Sequence, residues 1–157
     1  MRAEKRWTAT RLRRGKGFLT IECPRNLEQV QIAGDLKDTA VLLECISNLA
    51  ANELFAPGGD GAPVGVRGEW AEQRILAGLR HLAGCAGHVV VVTNQVGEDG
   101  LDYDLETMEY IRLIGRVNCR LAAWADRVVE VVFGIPVVLK EHEKQTAEHA
   151  GKGRGSR

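Results

Sequence analysis

The stretch RRGKGFLT, residues 13–20, sets glycine beside lysine and ends in threonine, the residue types of a phosphate-binding loop. Such a loop needs G-x-x-x-x-G-K-[ST] between a strand and a helix. Its backbone N–H groups wrap the phosphates, its lysine neutralises them, and its hydroxyl holds magnesium. Here Thr10 stands where the first glycine belongs, and Gly17 follows Lys16 where Ser or Thr is required. A β-favouring segment comes next instead of a helix, so the stretch is a turn, and no other part of the chain fits the pattern. Cys85-x-x-His88 is a ligand-like pair, but two ligands do not make a metal site. The histidines are His81, His88, His142 and His149, and no nucleophile elbow, HExxH or GxGxxG accompanies them. Cys23, Cys45, Cys85 and Cys119 are too scattered for a disulfide framework, which makes a reducing, cytoplasmic setting the expectation.

The elements that must position any site follow from periodicity. Residues 4–14 are helix-compatible, 18–22 have strand character stopped by Pro24, and Gly34-Asp35 marks a turn. A strand is expected over 39–44 and a helix over 46–55 with Ile46, Leu49 and Ala50 on one face. The glycines and prolines of 57–68 read as a loop. Residues 69–83 form an amphipathic helix on Ile75, Leu76, Leu79, Leu82 and Ala83, with His81 at its surface. Four successive valines within 88–94 suit a strand of a parallel sheet, apolar on both faces. Asp104 caps the next helix, and Glu106 lies in its first turn. That helix presents Met108, Ile111, Ile114, Leu121, Ala122 and Ala125, and Gly115 and Asn118 interrupt the same face. Either close backbone packing or a group aimed at a ligand accounts for the interruption. Two strands, 128–133 and 135–139, flank Gly134.

This alternation predicts an α/β fold, a mainly parallel sheet flanked by helices, as one domain over 1–140 with a polar, disordered tail over 141–157. Ligands of such sheets gather outside the carboxyl ends of the strands. Glu22, the segment 44–48 and the segment 93–97 put polar groups there, so the residues alone describe an acidic, amide-lined crevice. For Glu44 the alternative is a helix N-terminal acid or ion-pair partner, and for Asn94 a turn residue.

Composition narrows the partners. Hydrophobic residues make up 45% and charged residues 27%, with Lys+Arg 21 balanced by Asp+Glu 21. That balance gives no global pull towards nucleic acid or an anionic membrane. No apolar run nears the roughly 20 residues that span a bilayer. Locally, Arg2, Lys5, Arg6, Arg11, Arg13, Arg14 and Lys16 face Glu4 alone, either a solvated basic face or a site for phosphate groups.

The strings TIECPRNL, VLLECISNLAANELF, VVVVTNQVGEDGLDYDLET and GRVNCRLAAWADRVVEVVFGIPVVLK, in that order across residues 6–140, resemble the adenosylcobinamide kinase/adenosylcobinamide-phosphate guanylyltransferase family of cobalamin assembly. The resemblance implies a P-loop NTPase fold of the RecA type, a homotrimer, and ATP, GTP and Mg2+ as cofactors. It implies two reactions, phosphorylation of the aminopropanol arm of adenosylcobinamide and transfer of GMP to that phosphate through a guanylylated histidine. Carried over residue by residue, Glu22 and Glu44 match acids used around the guanine nucleotide. Arg11, Leu12, Arg13 and Arg14 match the basic stretch after the family's histidine. Asn94, Gln95 and Asn118 are candidate site-lining residues, with Gln95 standing where the family usually has Glu. The histidine itself falls on Thr10, or on Ala9 with one gap, and neither side chain can form a phosphoramidate.

In relatives the phosphate loop precedes the point that matches Met1. The expectation is that Met1 is an internal methionine and that the first strand-loop-helix unit is missing here. The alternative is a non-catalytic paralogue or fragment that binds nucleotide or a partner subunit. On either reading the 157-residue chain, purified alone, neither phosphorylates adenosylcobinamide nor forms a covalent GMP adduct. Incubation with radiolabelled GTP checks this, and label retained on the denatured protein would sink the expectation.

Overall fold

The computed structural model describes residues 19–32, 38–55 and 66–142. In chain order they form a 3-10 turn at Leu27–Gln29, strand β1 (Ala40–Glu44), helix α1 (Ile46–Leu54) and helix α2 (Arg67–Gly84). Strand β2 (His88–Val92), helix α3 (Leu105–Trp124) and strands β3 (Arg127–Val132) and β4 (Ile135–Glu141) follow. The chain divides into two compact units, one up to Cys119 and one from Arg120. No helix among the described residues is long and apolar enough to cross a membrane.

In the first unit, β1 and β2 pair in parallel with Ala40 opposite His88 and Glu44 opposite Val92. Side chains alternate across such a pair. Val41, Leu43, Val89 and Val91 are half-buried on one face, while Leu42, Val90 and Val92 are exposed on the other. The valine run was expected to be buried on both faces; among the described residues only one face is covered.

Helical spacing supplies the cover. Ile46, Leu49, Ala50 and Leu54 recur on one face of α1, and Ala71, Ile75, Leu79 and Leu82 on one face of α2. Each fully buried Leu or Ile contributes roughly 1.5–3 kcal/mol through area removed from water. On α3 the buried residues are Leu113, Ile114 and Val117. Of the expected stripe Ile114 is buried and Met108, Ile111, Leu121, Ala122 and Ala125 are half-buried, while Leu113 and Val117 are buried positions it did not include. At its side, Arg116 Nε pairs with Glu72 of α2 at 2.7 Å and Glu109 accepts the Gly68 N–H at 3.0 Å. Asp104 caps α3 as expected, accepting the Thr107 N–H at 2.8 Å and its hydroxyl at 2.9 Å. Those two bonds hold the Asp104 carboxyl below its ordinary range.

Two other expectations change. Residues 19–22 are extended but join no ladder among the described residues, and a strand exists only through pairing. The segment is instead fastened downstream. Asn26, in the left-handed region at φ 59°, donates its N–H to Glu53 Oε1 at 2.8 Å, and Arg74 bridges Glu53 at 3.1 Å and the Asn26 side chain. His81 is not a plain surface residue: its Nε2 lies 2.8 Å from the Val30 carbonyl, which fixes the 3-10 turn to α2. The residues expected as a helix over 4–14, the Gly34-Asp35 turn and the tail beyond residue 142 lie outside the described residues.

In the second unit, β3 and β4 form an antiparallel hairpin, with Val132 opposite Ile135. The described strands thus form two separate two-stranded sheets, a parallel one of β1 and β2 and an antiparallel one of β3 and β4, where a mainly parallel sheet was expected. The turn has Phe133 at φ 50° and Gly134 at φ 81°, the left-handed pair that matches strand twist in a two-residue loop. Lys140 Nζ donates to the carbonyls of Ala122 and Ala123 at 3.0 Å each, binding the hairpin to the last turn of α3.

The closest approach in the first unit is at Gly78, where an added Cβ would lie 2.4 Å from Leu27 Cβ and 3.3 Å from its Cα. Gly78→Ala should therefore cost about 1–3 kcal/mol as the 3-10 turn is pushed off α2. At Gly84 a Cβ meets nothing within 4 Å among the described residues, so Gly84→Ala should leave stability unchanged or slightly raised. Urea unfolding of the two variants checks both expectations.

Candidate functional site

The parallel register builds the site. Because Glu44 stands opposite Val92, the chain beyond each strand leaves the sheet at the same level. Glu44 and Cys45 run beside Thr93 and Asn94 at the carboxyl edge, where ligands of open α/β sheets collect. Glu44 is exposed and leads into α1, whose first residue is Ile46. The helix starts there because Cys45 takes an extended conformation (φ −134°, ψ 165°) and its carbonyl accepts the Leu49 N–H at 3.3 Å.

Around that helix start the polar groups are closely coupled. Cys45 Sγ lies 2.9 Å from Ser47 Oγ, and the Ser47 hydroxyl, followed by the Asn48 backbone N–H, lowers the Cys45 thiol from its ordinary value. Tyr110, reaching across from α3, donates its hydroxyl to the Ser47 carbonyl at 3.2 Å. Burial first, then the neighbouring Cys45 charge, raises the Tyr110 phenol and keeps it protonated. Its ring packs near Phe55 at a centroid distance of 6.2 Å.

On the β2 side, the Thr93 hydroxyl donates to Asn118 Oδ1 at 2.6 Å, and Asn118 Nδ2 donates to the Asn94 carbonyl at 3.2 Å. Downstream, Gly97 has φ 81°, and a Cβ there would come within 2.8 Å of Ile111 Cγ2. The loop after β2 is therefore held against α3 at both ends. Gly115, between Ile111 and Asn118 on the helix, is exposed, and among the described residues a Cβ there would meet nothing within 4 Å, so none of them packs closely on this glycine.

Of the residues singled out from sequence, Glu44, Asn94 and Asn118 thus share one region, with exposed Gln95 next in the loop. Glu22 is exposed and takes no part in the hydrogen bonds that join Thr93, Asn94 and Asn118. Ala9, Thr10, Arg11, Leu12, Arg13 and Arg14 lie outside the described residues. Sequence reasoning missed Cys45, Ser47 and Tyr110 as a connected group. One signal was present: Tyr110 is four residues before buried Ile114, so its hydroxyl points along the core face and needs a partner.

A separate groove of about 290 Å³ runs between α2 and α3, lined by Gly68, Glu69, Leu105, Glu106, Glu109, Arg112 and Arg116. Its Glu109 and Arg116 are the groups that fasten the two helices. Cys85 does not turn to His88; it sits 3.7 Å from His81 Nε2. Among the described residues no group of three or more His, Cys, Asp or Glu is placed to hold a metal by itself.

The two thiols of the first unit that shift do so in opposite directions, because burial raises Cys23 while the Ser47 hydroxyl lowers Cys45. The thiolate is the nucleophile, so iodoacetamide at about pH 7.5 should modify Cys45 severalfold faster than Cys23. Ser47→Ala should narrow that difference. Peptide mapping by mass spectrometry reads the order, and equal rates would contradict it.

A family described as cobinamide kinase / cobinamide phosphate guanyltransferase matches residues 2–139. The chain is 38% identical over 125 residues to the bifunctional adenosylcobalamin biosynthesis protein CobU of Salmonella typhimurium, covering 77% of this chain and 69% of that protein. It is 35% identical over 135 residues to the protein of the same name from Escherichia coli, covering 81% of this chain and 72% of the relative. The match takes in β1, the loop after β2 and all of α3. A parallel pair ending in an acid and an amide, flanked by helices, is compatible with that family's nucleotide-handling fold, and the chain belongs to the cobinamide kinase / cobinamide phosphate guanyltransferase family.

Proposed function

We infer that the carboxyl edge of β1–β2 is a nucleoside-triphosphate edge, serving the phosphorylation and guanylylation of adenosylcobinamide in cobalamin assembly. The observation that carries this reading is the register that sets Glu44 level with Thr93 and Asn94 at the start of α1. Glu44 supplies negative charge beside a helix start whose N–H groups favour phosphate. Magnesium takes one or two carboxylates and completes its shell with water and phosphate oxygens. Glu44 fits that requirement as a single carboxylate, and a bound magnesium would neutralise charge on the phosphates. Gln95 offers an amide where relatives usually have a carboxylate, so it can hydrogen-bond a nucleotide but adds no charge.

The basic stretch Arg11, Leu12, Arg13 and Arg14 supplies guanidinium forks suited to phosphate, with Glu22 as a further acid toward the guanine. Thr10 or Ala9 at the histidine position supports nucleotide binding and not covalent GMP transfer through this chain's own side chain. That same substitution favours a second reading, a nucleotide-binding member that acts with a complete subunit. The homotrimer implied by the resemblance provides a setting for either reading.

Titration of the full chain with GTP or ATP, with and without magnesium, tests the assignment. Glu44→Gln should weaken magnesium-dependent binding by about tenfold, the scale of one lost charge-assisted contact. In EDTA the variant and the parent should bind alike. Equal affinity in the presence of magnesium would remove Glu44 from the site.

A further inference from the structure

We propose that Asn118 is a positioning residue: its side-chain amide sets the direction in which the Asn94–Gln95 segment faces the nucleotide, and it acts through Thr93 and Asn94. The proposal rests on the nucleotide reading of this edge and adds a role for a residue on α3.

Both ends of the Asn118 amide are used inward. Oδ1 accepts the Thr93 hydroxyl at 2.6 Å, and Nδ2 donates to the Asn94 carbonyl at 3.2 Å. An amide carries both a donor and an acceptor on one rigid plane, so a single side chain can clamp two consecutive residues. Those residues lie immediately past Val92, which stands opposite Glu44. Rotating the peptide after Asn94 would swing Gln95 relative to the Glu44 carboxylate, and the two hydrogen bonds oppose that rotation.

The far end of the segment is pinned independently. Gly97 is left-handed and packs on Ile111 so closely that a Cβ would come within 2.8 Å. Ile111, Gly115 and Asn118 are spaced four and three residues apart and share one helix face. The two outer positions hold the loop, and the middle one contributes no side chain, with no atom of the described residues within 4 Å of where a Cβ would lie. Glycine inside a helix costs about 1 kcal/mol relative to alanine. Fixed ends over an open middle are the arrangement expected of a segment that presents groups to a ligand while its own backbone stays put.

Asn118→Asp separates the two halves of the clamp. The carboxylate still accepts from Thr93 but has no donor for the Asn94 carbonyl until it is protonated. In the full chain titrated with magnesium and GTP by NMR, Asn118→Asp should bind about tenfold or more weakly near pH 8, while its thermal midpoint stays close to that of the parent. The gap should narrow as pH falls towards about 5 and the new carboxyl begins to gain a proton. Glu44 and Cys45 after β1, Glu98 and Asp99 in the loop, and Arg116 and Cys119 on α3 are common to both proteins, so the parent's own pH profile accounts for them. Thr93→Val removes the other half of the clamp with little change of shape, and carries the test if Asn118→Asp does not fold.

No binding by the parent would overturn the nucleotide reading and this inference with it. Binding by the parent with undiminished affinity in a folded variant would overturn this inference alone, as would a loss that the unfolded fraction explains or a gap independent of pH.

Discussion

The parallel pairing of β1 with β2 is the constraint on which the rest of the first unit depends. Five residues on each strand fix one register, and a slip by one would turn Val89 and Val91 from the half-buried face to the exposed one. The penalty for such a slip is what holds Glu44 level with Val92. Everything at the edge inherits its position from that pairing: the start of α1, the Cys45–Ser47–Tyr110 group, and the Thr93–Asn94 pair clamped by Asn118. Helices α1 and α2 bury their own stripes, and Gly78 lets the Leu27–Gln29 turn sit directly on α2.

Much of this architecture was legible in the residues. Strands β1 and β2 and helices α1 and α2 fall within a few residues of their expected bounds, because each has a single strong period and clear flanking residues. Asp104 was readable as a cap, since a short acid before a helical run has few other local uses. The buried face of α3 was legible in part: Ile114 was expected there and Leu113 and Val117 were not, because the apolar residues are spread around the helix. The pairing of β3 with β4 was likewise under-read. A glycine between two short apolar runs signals a hairpin, but the residue before it is Phe, not the Asn or Asp usual at that position.

The candidate site divides in the same way. Glu44 and Asn94 announce themselves because polar residues directly after apolar strands must emerge at the sheet edge. Asn118 showed as a polar interruption of an apolar helix face, whereas Tyr110 gains its partner only when α3 is brought alongside the edge, a tertiary fact that periodicity does not encode. The family resemblance implies what geometry alone does not, and on the proposed reading the crevice serves purine nucleotides and a corrinoid arm. The same resemblance implies departures at Thr10 or Ala9 and at Gln95, where it leads one to expect a reactive or charged group.

The β3–β4 ribbon has a practical consequence. Val131 and Ile135 are each 66% exposed, Leu139 is 62% exposed, and Phe133 at the tip is fully so. A two-stranded ribbon gains little stability by itself in water, and exposed apolar patches are interaction sites or aggregation liabilities. Residues 129–139 therefore contribute exposed apolar surface that favours association at high protein concentration. Those residues are distinct from every group assigned to the nucleotide edge, so solubility and chemistry can be altered separately.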